Sequence, residues 1–193
     1  MRIDPHAHCR DGEEAYKETI SHTLQLAEEQ GVGMVFDMPN TNPPILNMVD
    51  VWRRLSIVPI EKKEREMYRL YVGLTSNPKQ IEEATRCGTH FPRVIGLKMF
   101  AGTSIGSLAV TEDEDQKNIY KTLACLDYTG VLAVHCEREQ DLRPDLWNPM
   151  APLTHSLARP KVAEINSVAN QIKFAIETGF KGTLHVCHVS WPT

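Results

Sequence analysis

Apolar segments and amphipathic segments alternate along the chain, and turn residues separate most of them. Six segments have the composition of β-strands: residues 3–4, 32–38, 67–74, 93–99, 131–136 and 183–189. Between them, apolar residues recur at helical spacing in five segments: residues 13–30, 47–65, 77–88, 113–127 and 161–178. Short apolar strands that alternate with amphipathic helices predict a parallel α/β sheet.

Two of the predicted helices show an apolar stripe directly in the sequence. In the segment 13–30, the apolar residues at helical spacing are Tyr16, Ile20, Leu24 and Ala27. In the segment 161–178, they are Val162, Ile165, Ala169, Ile172 and Ile176. Such stripes are typical of amphipathic helices, and we expect Gly31 and Gly179 to end these two.

The pattern fits two architectures, because it does not determine the order of the strands in the sheet. A flavodoxin-like open sheet and part of a TIM barrel both consist of parallel strands connected by helices. The chain has 193 residues, whereas a complete (β/α)₈ barrel usually needs roughly 250. We therefore expect a single α/β domain over residues 1–193 with about six βα units.

Composition and charge narrow the range of partners. The 21 basic and 25 acidic residues give a net charge of −4 without a concentrated basic stretch, so we expect no nucleic-acid binding. No apolar run approaches the roughly 18 residues of a membrane span, and the N-terminus lacks the apolar region of a signal peptide. The five cysteines are odd in number and form no C-x-x-C pair, which indicates reduced thiols in a cytoplasmic protein.

Histidines are concentrated where the predicted strands end. His6 and His8 follow the first strand, His135 lies in the fifth, and His188 lies at the end of the sixth. The carboxyl ends of parallel strands meet at one edge of a sheet or barrel, where α/β proteins have their functional sites. These four side chains are therefore candidate metal ligands. The alternative for His6 and His8 is a pair of solvated turn residues.

The alternation of side chains along the last predicted strand distinguishes its two histidines. His185 and His188 are three residues apart, so they face opposite sides of an extended strand. We favour His188 as the ligand because it lies nearer the carboxyl end, and we expect His185 to pack behind the strand or to form an outer hydrogen bond. By the same alternation, Cys136 and Cys187 face away from the neighbouring histidines, and we interpret both as packing residues.

Lys98 is the charged residue in the otherwise apolar segment 94–100. A buried, unpaired ammonium group is costly, and burial lowers its pKa. One interpretation is that Lys98 reaches solvent or an ion pair at the end of the strand. The other is that its neutral amine reacts with carbon dioxide to form a carbamate, which could bridge two metal ions.

Arg10 and Asn40 follow the first two strands and suit a planar anion. A guanidinium group binds a carboxylate through two parallel hydrogen bonds, and an amide adds a directional donor. The alternatives are a surface ion pair for Arg10 and a turn role for Asn40, which lies in a proline-rich loop. Both residues are candidates for binding a substrate carboxylate.

The candidate residues belong to five motifs: DPHAHCRD at residues 4–11, DMPNTNPP at 37–44, GLKMF at 96–100, VHCE at 134–137 and HVS at 188–190. In this order they resemble motifs of the dihydroorotases, which are cyclic amidohydrolases of the amidohydrolase superfamily. The resembled motifs are the D-x-H-x-H-x-R signature, the M-P-N-T-x-P-P segment, the carboxylated-lysine strand and two metal-histidine strands. Arg159-Pro160, followed by Ala163-Glu164, matches the helix before the sixth strand. The resemblance extends over residues 3–190.

The resemblance implies a metal-dependent hydrolase with a (β/α)₈ barrel and two zinc ions. By position, each ion would be bound by one histidine pair, and a carboxylated lysine would bridge the ions: His6 with His8, His135 with His188, and Lys98. Arg10 and Asn40 would hold the carboxylate of a small-molecule substrate. The family reaction is the interconversion of N-carbamoyl-aspartate and dihydroorotate in pyrimidine biosynthesis.

The chain departs from the family pattern after its sixth strand. We expect a barrel domain that is truncated before strands seven and eight, lacks the flanking β-sandwich, and has the family's catalytic aspartate beyond the chain end. The expected consequences are metal binding with impaired turnover, and self-association or completion by another chain at the open edges. The alternatives are a hydantoinase- or allantoinase-type cyclic amidohydrolase, and a non-catalytic dihydroorotase-like scaffold.

Overall fold

The computed structural model describes residues 1–59, 61–104 and 107–191, and within them six strands form one sheet. The strands are β1 (Arg2–Ala7), β2 (Val32–Asp37), β3 (Tyr68–Gly73), β4 (Val94–Ala101), β5 (Val131–Cys136) and β6 (Thr183–Val186). The α-helices are α1 (Ile20–Glu29), α2 (Met48–Ser56), α3 (Lys62–Met67), α4 (Pro78–His90), α5 (Asp113–Cys125), α6 (His155–Ala158) and α7 (Lys161–Thr178). Among the described helices, none combines the length and the apolar character that crossing a membrane requires.

The order of the strands decides between the two architectures. They lie in the order β1-β2-β3-β4-β5-β6, and every neighbouring pair is parallel. A flavodoxin-like sheet places its first strand between the second and the third, whereas a (β/α) barrel adds each new strand on the same side. The sequential order therefore shows that the fold is an incomplete (β/α) barrel, as expected.

Apolar side chains pack on both faces of the sheet, as in the wall of a barrel. The larger cluster lies between strands and helices and includes Leu24, Val72, Ile81, Ile119 and Leu123. The smaller cluster consists of residues in the strands or directly after them: Met38, Tyr71, Ala133 and Cys187. The helices thus pack on the outer face, and the inner face is filled by side chains from the strands themselves.

Local polar residues set the ends of several helices. The side chain of Thr19 accepts a hydrogen bond from the amide of His22 at the start of α1. Asn77 caps α4, where Pro78 occupies a first-turn position that needs no amide donor. Gly179 adopts the left-handed conformation (φ 69°) after α7, which confirms the predicted end of that helix.

Several predicted helices differ from the structure in extent. The segment 13–30 is α-helical only from Ile20, directly after the cap at Thr19, and Tyr16 lies before the helix and is 81% exposed. The segment 47–65 forms two helices, α2 and α3, and residue 60 lies outside the described residues. The predicted helix at 77–88 continues to His90.

α7 buries the side that lies opposite its apolar stripe. Its buried residues are Ala163, Ser167, Gln171 and Phe174. Nε2 of Gln171 donates a hydrogen bond to Oε1 of Gln116 in α5 at 2.7 Å, so this buried amide nitrogen has its partner inside the interface. The predicted apolar stripe is exposed: Val162, Ile165, Ala169, Ile172 and Ile176.

Candidate functional site

Four histidines converge at the carboxyl ends of β1, β5 and β6. Nε2 of His6 lies 3.2 Å from Nε2 of His8, and Nδ1 of His135 lies 3.2 Å from Nε2 of His188. The two pairs are adjacent, since the ring centroids of His6 and His188 are 5.0 Å apart. A cavity of about 360 Å³ opens beside His135 and His188. All four histidines singled out in the sequence therefore meet at one place.

Asn40 contacts both the first histidine pair and Arg10. Its Oδ1 accepts a hydrogen bond from Nδ1 of His8 at 3.0 Å, and its main-chain oxygen accepts one from Arg10 at 2.7 Å. Because an amide oxygen only accepts, Nδ1 of His8 is the protonated nitrogen, and the lone pair of Nε2 is directed toward His6. Asn40 thus orients His8 in addition to lying beside Arg10.

Lys98 is fully buried, which excludes the alternative that its ammonium group reaches solvent. Its Nζ donates a hydrogen bond to Sγ of Cys187 at 3.2 Å and lies 4.8 Å from the ring centroid of Phe100. Burial lowers the pKa of Lys98, and the neighbouring Cys187 opposes this effect only in part. The neutral, nucleophilic form of the amine is therefore more accessible than it is for a lysine in water.

The end of β6 departs from the alternation that we predicted. His185 is the register partner of Ala133, which belongs to the inner cluster, so His185 lies on the inner face and not behind the strand. Cys187 also lies in the inner cluster. Regular alternation does not extend to His188, because β6 ends two residues earlier and His188 has a positive φ of 35°. This turn lets Cys187 contact Lys98 while His188 joins the other histidines.

The surroundings of the cluster favour neutral imidazoles. Burial, with the nearby Lys98 ammonium group, lowers the pKa of His6 to about 3. Burial and the charge of Arg10 lower the pKa of His8 to about 4. Burial also lowers the pKa of His188. Neutral imidazole is the form that binds a metal ion, so these three histidines are ready for metal at neutral pH.

A buried ionic network holds the segment that follows β1. Arg54 of α2 donates to the carboxylate of Asp37 from Nη2 at 2.8 Å, and the hydroxyl of Tyr68 donates to the same carboxylate at 2.5 Å. Arg54 also donates to the main-chain oxygens of Cys9 at 2.6 Å and Arg10 at 3.1 Å. Asp37 accepts a hydrogen bond from the amide of Cys9 at 2.9 Å. The network therefore fixes the backbone next to the first histidine pair.

Glu137 follows His135 and forms an ion pair with Arg159. The guanidinium group donates to Oε1 from Nε at 2.9 Å and to Oε2 from Nη2 at 2.6 Å, which is two-point binding. Oε2 lies 3.3 Å from Nε2 of His135. Burial alone would raise the pKa of Glu137, but its contacts with His135 and Arg159 lower it to about 2. Glu137 is therefore an anion at neutral pH.

Each histidine pair has the spacing of two ligands on one metal ion. Zinc–nitrogen bonds of about 2.0–2.1 Å in a tetrahedral site separate the ligand nitrogens by about 3.4 Å, and both pairs measure 3.2 Å. Among the described residues, however, no group of three or more His, Cys, Asp or Glu side chains is arranged to hold an ion. The charge of Lys98 lowers the pKa of His6 and of His188, so its amine lies near one histidine of each pair.

Four residues around the histidines were not identified as functional candidates from the sequence. The sequence did point to two of them: Glu137 directly follows His135, and Arg159 belongs to the Arg-Pro motif before α7. Asp37 is a carboxylate in an apolar segment, which by itself indicates a buried partner. Nothing in the sequence indicated the burial of Arg54, because a charged residue in a short amphipathic helix is normally expected at the surface.

The chain is similar in sequence to curated enzymes, although no protein-family model matches it. It is 31% identical over 188 residues to the dihydroorotase of Thermococcus kodakarensis and 30% identical over 190 residues to that of Pyrococcus furiosus. It is 32% identical over 196 residues to the allantoinase of Desulfitobacterium hafniense. These alignments cover 97% of this chain but only 38%, 37% and 41% of the relatives.

Solved structures of hydantoinases share the fold. The L-hydantoinase (dihydropyrimidinase) from Arthrobacter aurescens has a TM-score of 0.72 at 19% identity, over 95% of this chain and 40% of that one. The D-hydantoinase from a Bacillus sp. AR9 has a TM-score of 0.74 at 19% identity, over 98% of this chain and 41% of that one. At this level of identity the likeness concerns the fold alone, and it agrees with an incomplete barrel.

Proposed function

Because this chain is homologous to the dihydroorotases of the amidohydrolase superfamily over nearly its whole length, we propose that it carries the metal centre of a hydrolase that acts on cyclic amides. The observation that best supports the proposal is the meeting of the two histidine pairs beside Lys98. Each pair would hold one zinc ion, and Lys98, once carboxylated, would bridge the ions. Such a centre supplies a hydroxide at neutral pH and polarises an amide carbonyl.

The proposed substrate is dihydroorotate, interconverted with N-carbamoyl-aspartate in pyrimidine biosynthesis. Arg10 would bind the substrate carboxylate, while Asn40 keeps Arg10 and His8 in position through its two hydrogen bonds. The competing substrates are hydantoin and allantoin. The similarity to an allantoinase supports allantoin as the alternative substrate. Arg10 favours dihydroorotate, because its guanidinium group fits a carboxylate.

We propose that turnover by this chain alone is impaired. The chain spans about two-fifths of the length of the relatives, at 38% and 37% for the two dihydroorotases. A general base works best with a pKa near the operating pH, whereas the pKa of Glu137 is lowered to about 2. Glu137 is thus a poor substitute for the catalytic aspartate of the family.

We also propose a cytoplasmic location. All five cysteines are free, and four of them are buried: Cys9, Cys87, Cys136 and Cys187. Reduced thiols persist where glutathione and thioredoxin maintain them, and buried thiols then behave as small apolar side chains.

We expect the purified chain, supplied with zinc and bicarbonate, to bind metal and to hydrolyse dihydroorotate slowly or not at all. Elemental analysis would give the zinc content, and turnover would be measured on dihydroorotate, hydantoin and allantoin. His188→Ala should lose one of the two zinc ions, whereas His90→Ala, which removes an exposed histidine of α4, should retain both. Hydrolysis of only hydantoin and allantoin would contradict the proposed substrate. A zinc-free chain would favour the non-catalytic scaffold.

We propose further that a second copy of this chain covers the exposed apolar stripe of α7. The stripe consists of Val162, Ile165, Ala169, Ile172 and Ile176. The stripe can pack on its own copy about a two-fold axis, which gives a closed contact. Exposed apolar patches of this kind commonly mark interaction surfaces. Within the described residues, β6 pairs with β5 alone, so the sheet also has an open edge beside this helix.

The combined substitutions Ile172→Glu and Ile176→Glu should shift the chain to a monomer in light scattering, because they place two charges in the C-terminal half of the stripe. Lys173→Gln is the matched control on the same helix and should leave the assembly unchanged, since Lys173 is exposed and outside the stripe. A monomeric unsubstituted chain would contradict the proposal. So would an assembly that is unaffected by the double substitution.

A further inference from the structure

The carboxylate of Glu137 lies on the opposite side of the His135 ring from His188. Nδ1 of His135 is 3.2 Å from Nε2 of His188, whereas Nε2 of His135 is 3.3 Å from Oε2 of Glu137. Nε2 is shielded from solvent and has no hydrogen-bond partner among the described residues, so the carboxylate acts on it through its charge at this distance. The two ring nitrogens of His135 therefore have different surroundings, one at the histidine cluster and one at an anion.

This arrangement favours one tautomer of His135. A neutral imidazole carries a single N–H, and an ionised carboxylate can only accept a hydrogen bond. The proton is therefore favoured on Nε2, beside Glu137, which leaves the lone pair of Nδ1 directed toward His188. A histidine that binds a metal ion needs its lone pair on the nitrogen that faces the ion.

Arg159 keeps Glu137 in this position. In addition to its two-point contact with the carboxylate, Nη2 of Arg159 donates to the main-chain oxygen of Thr103 at 2.6 Å. One guanidinium group therefore joins the loop after β4 to the loop after β5. Gly102, at a positive φ of 130°, lies so close to the main chain of Glu137 that a side chain there would clash. The carboxylate is thus held through both its side chain and its backbone.

We propose that Glu137, held by Arg159, is a positioning residue that directs Nδ1 of His135 toward the metal ion shared with His188. This inference rests on the proposed metal centre. Partners of this kind change metal affinity by about 10–100-fold when they are removed. The effect should be confined to the ion at His135 and His188, because Glu137 has no contact with His6 or His8 among the described interactions.

The test is Glu137→Gln, which preserves size and one oxygen but adds an amide that can donate to Nε2 and so no longer selects the tautomer. Calorimetric titration with zinc should show one binding event weakened about 10–100-fold and the other unchanged. Glu139→Gln is the matched control: Glu139 lies in the same loop and accepts a hydrogen bond from the amide of Thr103 at 2.8 Å. We expect Glu139→Gln to bind both ions as the unsubstituted chain does.

A second measurement uses the metal-free chain. Nitrogen-15 NMR of the imidazoles, with His135 assigned through His135→Gln, should show protonated Nε2 in the unsubstituted chain and a mixture of tautomers in Glu137→Gln. Arg159→Met should shift the mixture in the same direction. The inference would be overturned if Glu137→Gln kept both the tautomer of His135 and the zinc affinity of the unsubstituted chain. It would also be overturned if the binding of both ions were weakened equally while the tautomer was preserved. Absence of zinc binding in the unsubstituted chain would instead refute the proposed function, while the NMR result would still decide this inference.

Discussion

Replacing Arg54 with methionine is expected to destabilise the protein by about 3–5 kcal/mol. The substitution leaves the Asp37 carboxylate fully buried without its charge partner, and it removes the donors to the main-chain oxygens of Cys9 and Arg10. For a chain of this size the loss corresponds to a fall of about 6–20 °C in the unfolding temperature. Thermal and urea unfolding, followed by circular dichroism at matched protein concentration, would measure it.

Arg53→Met is the matched control, since Arg53 is the preceding residue of α2 and pairs with Asp50 at 2.9 Å on the surface. It should cost no more than about 1 kcal/mol. Combining Arg54→Met with Asp37→Leu should recover part of the loss, because no unpaired charge then remains in the interior. A loss below about 1 kcal/mol for Arg54→Met alone would show that the network does not hold this segment.

Replacing Lys98 with methionine is expected to have opposite effects on the metal-free and the metal-loaded protein. Without metal, the free energy of unfolding of the variant should rise by up to about 4 kcal/mol. The reason is that the buried amine, which contacts a thiol and a phenyl ring, is replaced by an apolar side chain of similar size. With metal, the variant should lose the bridged pair of ions. The stabilisation by zinc, about 2.7 kcal/mol at a hundred times the Kd, should shrink accordingly.

Unfolding curves recorded with and without zinc, together with zinc content per chain, separate the two effects of Lys98→Met. Lys121→Met, at an exposed position of α5, is the control and should change either curve by less than about 0.5 kcal/mol. Two ions bound by Lys98→Met with unchanged affinity would refute the bridging role. A less stable metal-free variant would show that Lys98 contributes to the fold in its own right.

Features that depend on local periodicity were predictable from the sequence. The alternation of apolar and amphipathic segments predicted the strands to within a few residues, and Gly179 ends α7 as expected. Histidines at the ends of three strands were predictable neighbours as well, because parallel strands bring their carboxyl ends together. The meeting of His6 with His188 follows from this rule.

Features that depend on the contacts of a side chain were predicted less well. The alternation of β6 placed Cys187 away from the site, but the strand ends at Val186 and the chain turns, so that the thiol contacts Lys98. The helical periodicity of α7 identified its apolar stripe, but the structure buries the opposite side of the helix. Gln171, which a hydrophobic pattern places at the surface, is buried because Gln116 supplies its partner.

The sequence by itself determined the element types, the parallel arrangement and the strand-end position of the candidate chemistry, because each of these follows from spacing along the chain. The tertiary structure alone decided the strand order, the side of α7 that is buried, and the burial of Arg54 beneath the segment after β1. The physical reason is that a residue's own type sets its backbone preference and its polarity. Whether a polar group can be buried depends on a partner supplied by a distant part of the chain.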